Sequence, residues 1–389
     1  MTAPVSTGPV QDLPAVRRPI VAVVTDAIHP YSFGGREIRY HELARQLSPR
    51  ADVHLYTMHW WHGPRTLTDG PVTLRAVTPL MPLYSGRRRS LRQAVIFALG
   101  CLQLLWRRFD VLHVDHIPQF QLFTMRLVAT LRRRTLVATW HEVWGPEYWQ
   151  DYLGRGGRLA WWIERLSMRL PDQIIAASAQ TAERLFEHLG EDAPIVVAPN
   201  GIDLQAVRDA EPSPDTTDLV VVSRMMVHKR LDMLLDAVAL LHAEGRPVTC
   251  RIIGDGPERK ALHEQAARLG ITAFVDFRHD VREQMEVYSL IKAGRIFAFC
   301  SEREGFGIAV LEALACGVPV VTTSSPDNLA QHLISRSQRG LVCRHTPEAL
   351  ALALGTSLSA QDDLGGEDPW LGDYDWNVIA KRIFGTLLP

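Results

Sequence analysis

The chain has few of the features that would tie it to a bilayer, an oxidising compartment or a nucleic acid. Its five cysteines, Cys101, Cys250, Cys300, Cys316 and Cys343, are odd in number, widely spaced and set mostly in apolar runs. That pattern argues against a disulfide frame or a metal site and fits reduced core thiols of a cytoplasmic protein. Net charge is nearly absent: 42 Lys and Arg stand against 43 Asp and Glu, so no global field draws the chain to nucleic acid or to an anionic membrane. Any membrane contact has to be local; the expected place of the chain is the cytoplasm, with peripheral contact at the inner face of the membrane left open. The longest apolar stretch, Ala94 to Trp106, is only about two-thirds of the length that spans a bilayer. The opening MTAPVSTGPVQDLPAVRR lacks the apolar centre of a signal peptide, and residues 1–18 read as a disordered tail. No G-x-G-x-x-G follows the first strand-like run, and Gly254-Asp255-Gly256 lacks the third glycine, which argues against a nicotinamide enzyme.

What is present is the composition of a soluble globular protein, 47% hydrophobic and 22% charged over 389 residues, long enough for two domains. Apolar strand-like runs alternate with helical patterns, which predicts parallel sheets covered by helices. The first half carries Ile20 to Thr25, Val53 to Thr57, Val111 to Val114, Thr135 to Trp140, Gln173 to Ser178 and Ile195 to Pro199. The second restarts with Leu219 to Ser223, Val248 to Gly254, Phe274 to Phe277, Arg295 to Cys300 and Val318 to Thr323. Between them DAEPSPDTTD, Asp209 to Asp218, suits a linker. The expected fold class is α/β, with two Rossmann-like doubly wound domains, 19–208 and 209–372, facing each other across a cleft. A last helix within 374–389 is free to pack back on the first of them.

Glu304 and Glu312, eight positions apart in SEREGFGIAVLEALACGVPVVTT, carry the chemistry. Gly305, Phe306 and Gly307 supply a turn, and Val310, Leu311, Leu314 and Ala315 recur at helical spacing, so Glu304 is expected in the turn and Glu312 within the helix. A carboxylate accepts hydrogen bonds from a vicinal diol, and free N–H groups at the helix start favour an anion such as a diphosphate. Two diols and a diphosphate make a nucleotide sugar. A helix cap and a solvated charge are the plainer alternative for such a pair.

Several motifs in order resemble glycosyltransferase family 4, the retaining, metal-independent enzymes of the GT-B fold. The two glutamates resemble its E-x7-E signature. Gly34 to Leu47 resembles its amino-terminal glycine loop and helix, Pro199 to Asp203 its domain junction, and Ser223 to Ala237 its phosphate-binding strand and helix. Ile252 to Arg259 and Ala315 to Val321 match further blocks, so the resemblance covers nearly all of the chain after the tail. It implies that Glu304 binds the donor sugar and Glu312 the ribose diol, beside Gly305, Phe306 and Gly307. It also implies that Arg224 and Lys229 bind the diphosphate, a role their charge suits independently. Gly34 and Gly35 would face the donor from the other domain. His141, after a strand end, would lie near the reaction centre, and Glu142 and Trp144 would meet the acceptor.

The resemblance implies a retained anomeric configuration, a nucleoside diphosphate sugar (UDP- or GDP-linked) as co-substrate, no cofactor and no metal. The acceptor would be a glycan, a lipid-linked molecule or a small molecule. Asp373, Tyr374 and Asp375 spell D-x-D, but beside the last helix they read as a helix start. The chain departs from the family at Arg278, His279 and Asp280, bulkier than the usual small residue near the nucleobase, and at Ser324 to Ala330. Arg87, Arg88, Arg89 and Arg92 before the apolar helix, and Trp161, Trp162, Arg165 and Arg169, suit either anionic lipid heads or a solvated arginine face. A nucleotide-sugar epimerase or hydrolase, which consumes donor without an acceptor, and a non-catalytic nucleotide- or glycan-binding protein are the rival functions.

Overall fold

The computed structural model describes residues 17–32, 34–85, 88–281, 283–337, 339–360 and 368–388. Most of the expected tail, Arg87 and the stretch 361–367 lie outside the described residues. The amino-terminal sheet has eight strands, in spatial order Ile195–Val197, Gln173–Ala176, Thr135–Trp140, Val111–Asp115, Ile20–Val24, Asp52–Met58, Val72–Thr78 and Thr66–Asp69. All neighbours are parallel except the last pair, a hairpin turned at Gly70 with φ +53°. The run Ile-Val-Ala-Val-Val is apolar throughout because the strand is covered on both faces. Val21 and Val23 enter a core with Tyr40, Leu43 and Trp376, whereas Ala22 and Val24 enter one with Phe97, Leu122 and Met125.

The second sheet is parallel throughout, in the order Val275–Arg278, Cys250–Ile253, Thr217–Val222, Gly294–Phe299, Val320–Ser324 and Gly340–Arg344. Strand order reverses beside Ile20–Val24 in the first sheet and beside Thr217–Val222 in the second. The carboxyl ends at these two switch points open the crevices where such sheets bind ligands.

The junction between the halves is pinned from the first. Arg39, fully buried on helix Gly35–Leu47, donates to the carbonyls of Ala198 and Pro199 at 2.8 Å and to Asn200 Oδ1 at 3.1 Å. A Cβ on Gly201 would stand 2.6 Å from the Trp376 ring, so the junction tolerates no side chain there. Helix Trp376–Leu387 packs beside helix Gly35–Leu47 on the first sheet.

Two local expectations change. The apolar segment Ala94 to Trp106 is broken, an α-helix over Leu91–Gly100 continuing as a 3₁₀ helix over Cys101–Trp106. Glu304 lies in a two-residue strand, Arg303–Glu304, paired in parallel with Asp327–Asn328, and the turn begins only after it. Among the described residues no helix is long and apolar enough to cross a membrane.

Candidate active site

On the second sheet, strand Thr217–Val222 delivers Ser223 and Arg224 to the switch point, and a 3₁₀ turn, Val227–Lys229, follows. The Lys229 ammonium donates to Glu304 Oε2. Gly307 follows in the left-handed region at φ +88°, where a Cβ would stand 2.4 Å from that of Ala330, so glycine alone fits. Its N–H reaches the Glu304 carboxylate. Helix Ile308–Ala315 then buries Glu312, whose Oε1 accepts from Gln284 Nε2 at 2.8 Å.

The two glutamates end in opposite states. Burial opposes the charge on Glu304, but Lys229, Arg224 and the Gly307 N–H together hold its carboxyl below the usual range. Burial pushes Glu312 up to about 8, and the Gln284 amide offsets this only in part. One site therefore offers an ionised acceptor beside a cation and the other a largely protonated acid at neutral pH.

The opposite wall comes from the first sheet. A Cβ on Gly35 would lie 3.1 Å from Ile308 Cγ2, and one on Gly34 would lie 3.9 Å from Arg224 Nε, so the glycine loop abuts the Glu312 helix and the Arg224 turn. Arg224 is solvent-reachable and donates from Nη1 to the Tyr84 hydroxyl at 3.2 Å. In the first turn of helix Gly35–Leu47, Arg36 pairs with Asp26 at 3.1 Å, Glu37 at 3.0 Å and Asp115 at 3.0 Å, three buried carboxylates around one guanidinium. Burial opposes ionisation of Asp115, yet Arg36 first, then His116, hold its carboxyl far below the usual range. Asp26 also pairs with Arg89 at 2.5 Å, so Arg36→Ala leaves chiefly Asp115 and Glu37 without their paired cation and is expected to cost about 3–5 kcal/mol. A calorimetric melting temperature within a degree of wild type would contradict that.

His141 follows strand Thr135–Trp140, with Nε2 3.7 Å from Asp115 Oδ1 and without a hydrogen-bond partner. Burial pulls its pKa well down, assisted by His116, Arg39 and Arg36 and opposed by Asp115, so the imidazole is neutral. Its carbonyl faces the turn of the other half: a Cβ on Gly305 would stand 2.6 Å from that oxygen. Beyond it, Glu142 accepts from Trp144 Nε1 at 2.5 Å and meets Arg303 at 3.5 Å. Arg303 stacks over Tyr148 at 3.7 Å and Trp144 at 4.9 Å, joining the halves beside Glu304. Glu164, fully buried and pushed by burial up to about 7, anchors this loop by accepting from the Trp144 N–H and from Trp149 Nε1.

Gly34, Gly35, His141, Glu142, Trp144, Arg224, Lys229, Glu304, Gly305, Gly307 and Glu312 therefore gather around one cleft. Phe306 turns away, 7% exposed, into a core cluster beside Tyr374. His279 is exposed past strand Val275–Arg278, two strands from the switch point, where Arg278 pairs with Asp280. Asp375 caps helix Trp376–Leu387 by accepting from the Asn377 N–H at 2.8 Å. Sequence reasoning passed over Asp26, Arg36, Asp115, His116, Gln284 and Arg303. The polar pair closing VLHVDH, at a strand end, was the available signal for Asp115 and His116.

Comparison with known proteins agrees with this fold. Residues 33–206 match the family model described as Glycosyltransferase Family 4, and residues 205–364 match Glycosyl transferases group 1. The chain is 30% identical over 305 residues to a GDP-mannose:cellobiosyl-diphosphopolyprenol alpha-mannosyltransferase of Komagataeibacter xylinus, covering 72% of this chain and 73% of that one. It is also 30% identical to a GDP-mannose-dependent alpha-(1-6)-phosphatidylinositol dimannoside mannosyltransferase of Mycobacterium tuberculosis, a match over 48% of this chain and 49% of the relative. Among solved structures, a sucrose-phosphate synthase from Thermosynechococcus elongatus superposes with a TM-score of 0.76 at 17% identity, covering 95% of this chain and 98% of that one.

Proposed function

The chain belongs to glycosyltransferase family 4, with the GT-B fold, and from that premise we propose that it moves a hexose from a nucleoside diphosphate to an acceptor with retention, forming an α-glycosidic bond without a metal. The observation that carries the reading is the Lys229–Glu304 pair at the switch point, set between Arg224, the Gly34-Gly35 loop and the carbonyl of His141. Glu304 would accept from hydroxyls of the donor sugar, Glu312 from the ribose diol, and Arg224 with Lys229 would neutralise the diphosphate. The bond from the anomeric carbon to the phosphate oxygen breaks, and the acceptor oxygen bonds that carbon on the same face. The acceptor proton passes to the departing diphosphate, so no protein nucleophile is needed. Neutral His141, with a free Nε2, suits a hydrogen bond to a sugar hydroxyl at this centre.

Two relatives are named for GDP-mannose and for lipid-borne acceptors, which favours GDP-mannose as donor and a lipid-linked acceptor reached from the cytoplasmic side. A thermal-shift screen of GDP, UDP and their sugars tests the donor, because a ligand at 100 times its Kd stabilises the folded state by about 2.7 kcal/mol. GDP-mannose should give a clear upward shift. Absence of a shift with every nucleoside diphosphate and nucleotide sugar would sink the transferase reading, and a shift with UDP-sugars alone would move the donor.

A further inference from the structure

Three helices lie side by side over the face of the amino-terminal sheet opposite helix Gly35–Leu47: Leu91–Gly100, Phe120–Arg132 and Gly157–Ser167. The inward faces of the first two are accounted for by Phe97, Leu122, Met125 and Val128 in the core, and the third sets Trp161 against the same cluster. Their outward faces are also apolar. Leu91, Val95 and Leu99 are 65%, 39% and 59% exposed, and their i, i+4, i+8 spacing makes one stripe along the first helix. Leu127 and Leu131 repeat the pattern on the second helix, and Leu159, Trp162 and Leu166 on the third. Trp106, 78% exposed, stands at the end of the first. Single exposed leucines are ordinary on a protein surface, whereas aligned stripes on three neighbouring helices mark an interaction face.

The charge around these stripes is one-sided. Residues 88–170 contain thirteen arginines and no lysine against six carboxylates, in a chain whose formal charge is −1. Arg92, Arg108, Arg132, Arg158 and Arg165 are exposed on or beside the three helices. We infer that this face docks on an anionic lipid surface, with its leucine and tryptophan tips at the acyl boundary and its arginines among the phosphates. A second copy of the chain would bring the same cationic rim against itself. The third helix packs against helix Gly145–Leu153, whose Tyr148 stacks on Arg303 beside Glu304, so the docked face leads to the cleft. The inference does not depend on the transferase reading, and its test uses no substrate.

Vesicles of phosphatidylcholine alone and vesicles containing phosphatidylglycerol are floated with the full chain, at low and high salt. Flotation is expected with phosphatidylglycerol only, weakened by salt, and abolished in Trp106→Glu/Trp162→Glu. Neutralising Arg92→Gln and Arg108→Gln should each lower partitioning roughly fivefold. The substituted side chains are exposed, so unchanged melting temperatures and unchanged nucleotide shifts separate this result from loss of fold or of donor binding. No flotation at low salt, equal flotation with both lipids, or flotation indifferent to these substitutions overturns the inference. A wild-type dimer that the tryptophan substitutions dissolve, with no vesicle binding, overturns it too and assigns the face to a second copy.

Discussion

Lys229→Ala is expected to weaken nucleoside diphosphate binding about 10- to 100-fold, because a charge-assisted hydrogen bond contributes about 1.5–3 kcal/mol. The loss has two parts. The diphosphate loses a donor, and Glu304, whose low pKa depends chiefly on Lys229, is left as an unpaired carboxylate facing an anion. The second part can be isolated. In Lys229→Ala/Glu304→Gln the repulsion is gone, so the double variant should bind more tightly than Lys229→Ala alone, a non-additivity expected of side chains in direct contact. Glu304→Gln by itself should leave nucleoside diphosphate affinity close to wild type and reduce sugar transfer. Calorimetric titration of the four proteins with GDP decides this without any acceptor. Strict additivity would remove the Lys229–Glu304 pair as a functional unit.

That pair also marks where the sequence stopped being informative. The types of both residues follow from spacing and chemistry, yet they are 75 positions apart, and only the strand order brings Thr217–Val222 and Gly294–Phe299 together. Contacts across the cleft are further still from any local pattern: Arg303 and Glu142 are separated by 161 positions. Most buried parallel strands were legible because both of their faces are apolar; Val72–Thr78, with Val72, Thr73 and Arg75 only half-buried, was not. Thr66–Asp69 and Gly340–Arg344 were not, since edge strands with exposed side chains lack that signature. Arg36 was passed over for a different reason. Three carboxylates from Asp26, Glu37 and Asp115 converge on it, and its neighbours in GGREI give no sign of two of them. Most of all, the sequence presents Glu304 and Glu312 as equivalent acids. Burial, offset only in part by the Gln284 amide, acts on Glu312, while burial opposed by two cations acts on Glu304, and the outcome is opposite protonation.

The protonation of Glu312 leads to the last expectation, that nucleoside diphosphate binding by the wild type rises with pH relative to Glu312→Gln. With its pKa pushed up to about 8, Glu312 is mostly an acid near neutrality. An acid keeps one donor of its own and accepts poorly, whereas the two hydroxyls of a ribose need an ionised acceptor. Binding in the proposed pose therefore selects the carboxylate and releases a proton. Relative to the variant, affinity of the wild type should climb about tenfold in all between pH 6 and about 8 and then level off. The same shift acts on the free fold in the opposite sense. The folded pKa lies above the unfolded one, so the stabilising contribution of Glu312 is complete below about 4.5 and is lost as pH rises through about 8. Bound nucleotide returns that stability by supplying the missing hydrogen bonds. Titration of the diphosphate itself affects both proteins equally, so the ratio of their affinities isolates the residue. It should be near one at pH 6 and roughly tenfold in favour of the wild type above pH 8. Calorimetry of GDP binding in two buffers of different ionisation enthalpy reads the proton directly. Parallel pH curves for the two proteins, with no buffer dependence, would place the ribose elsewhere.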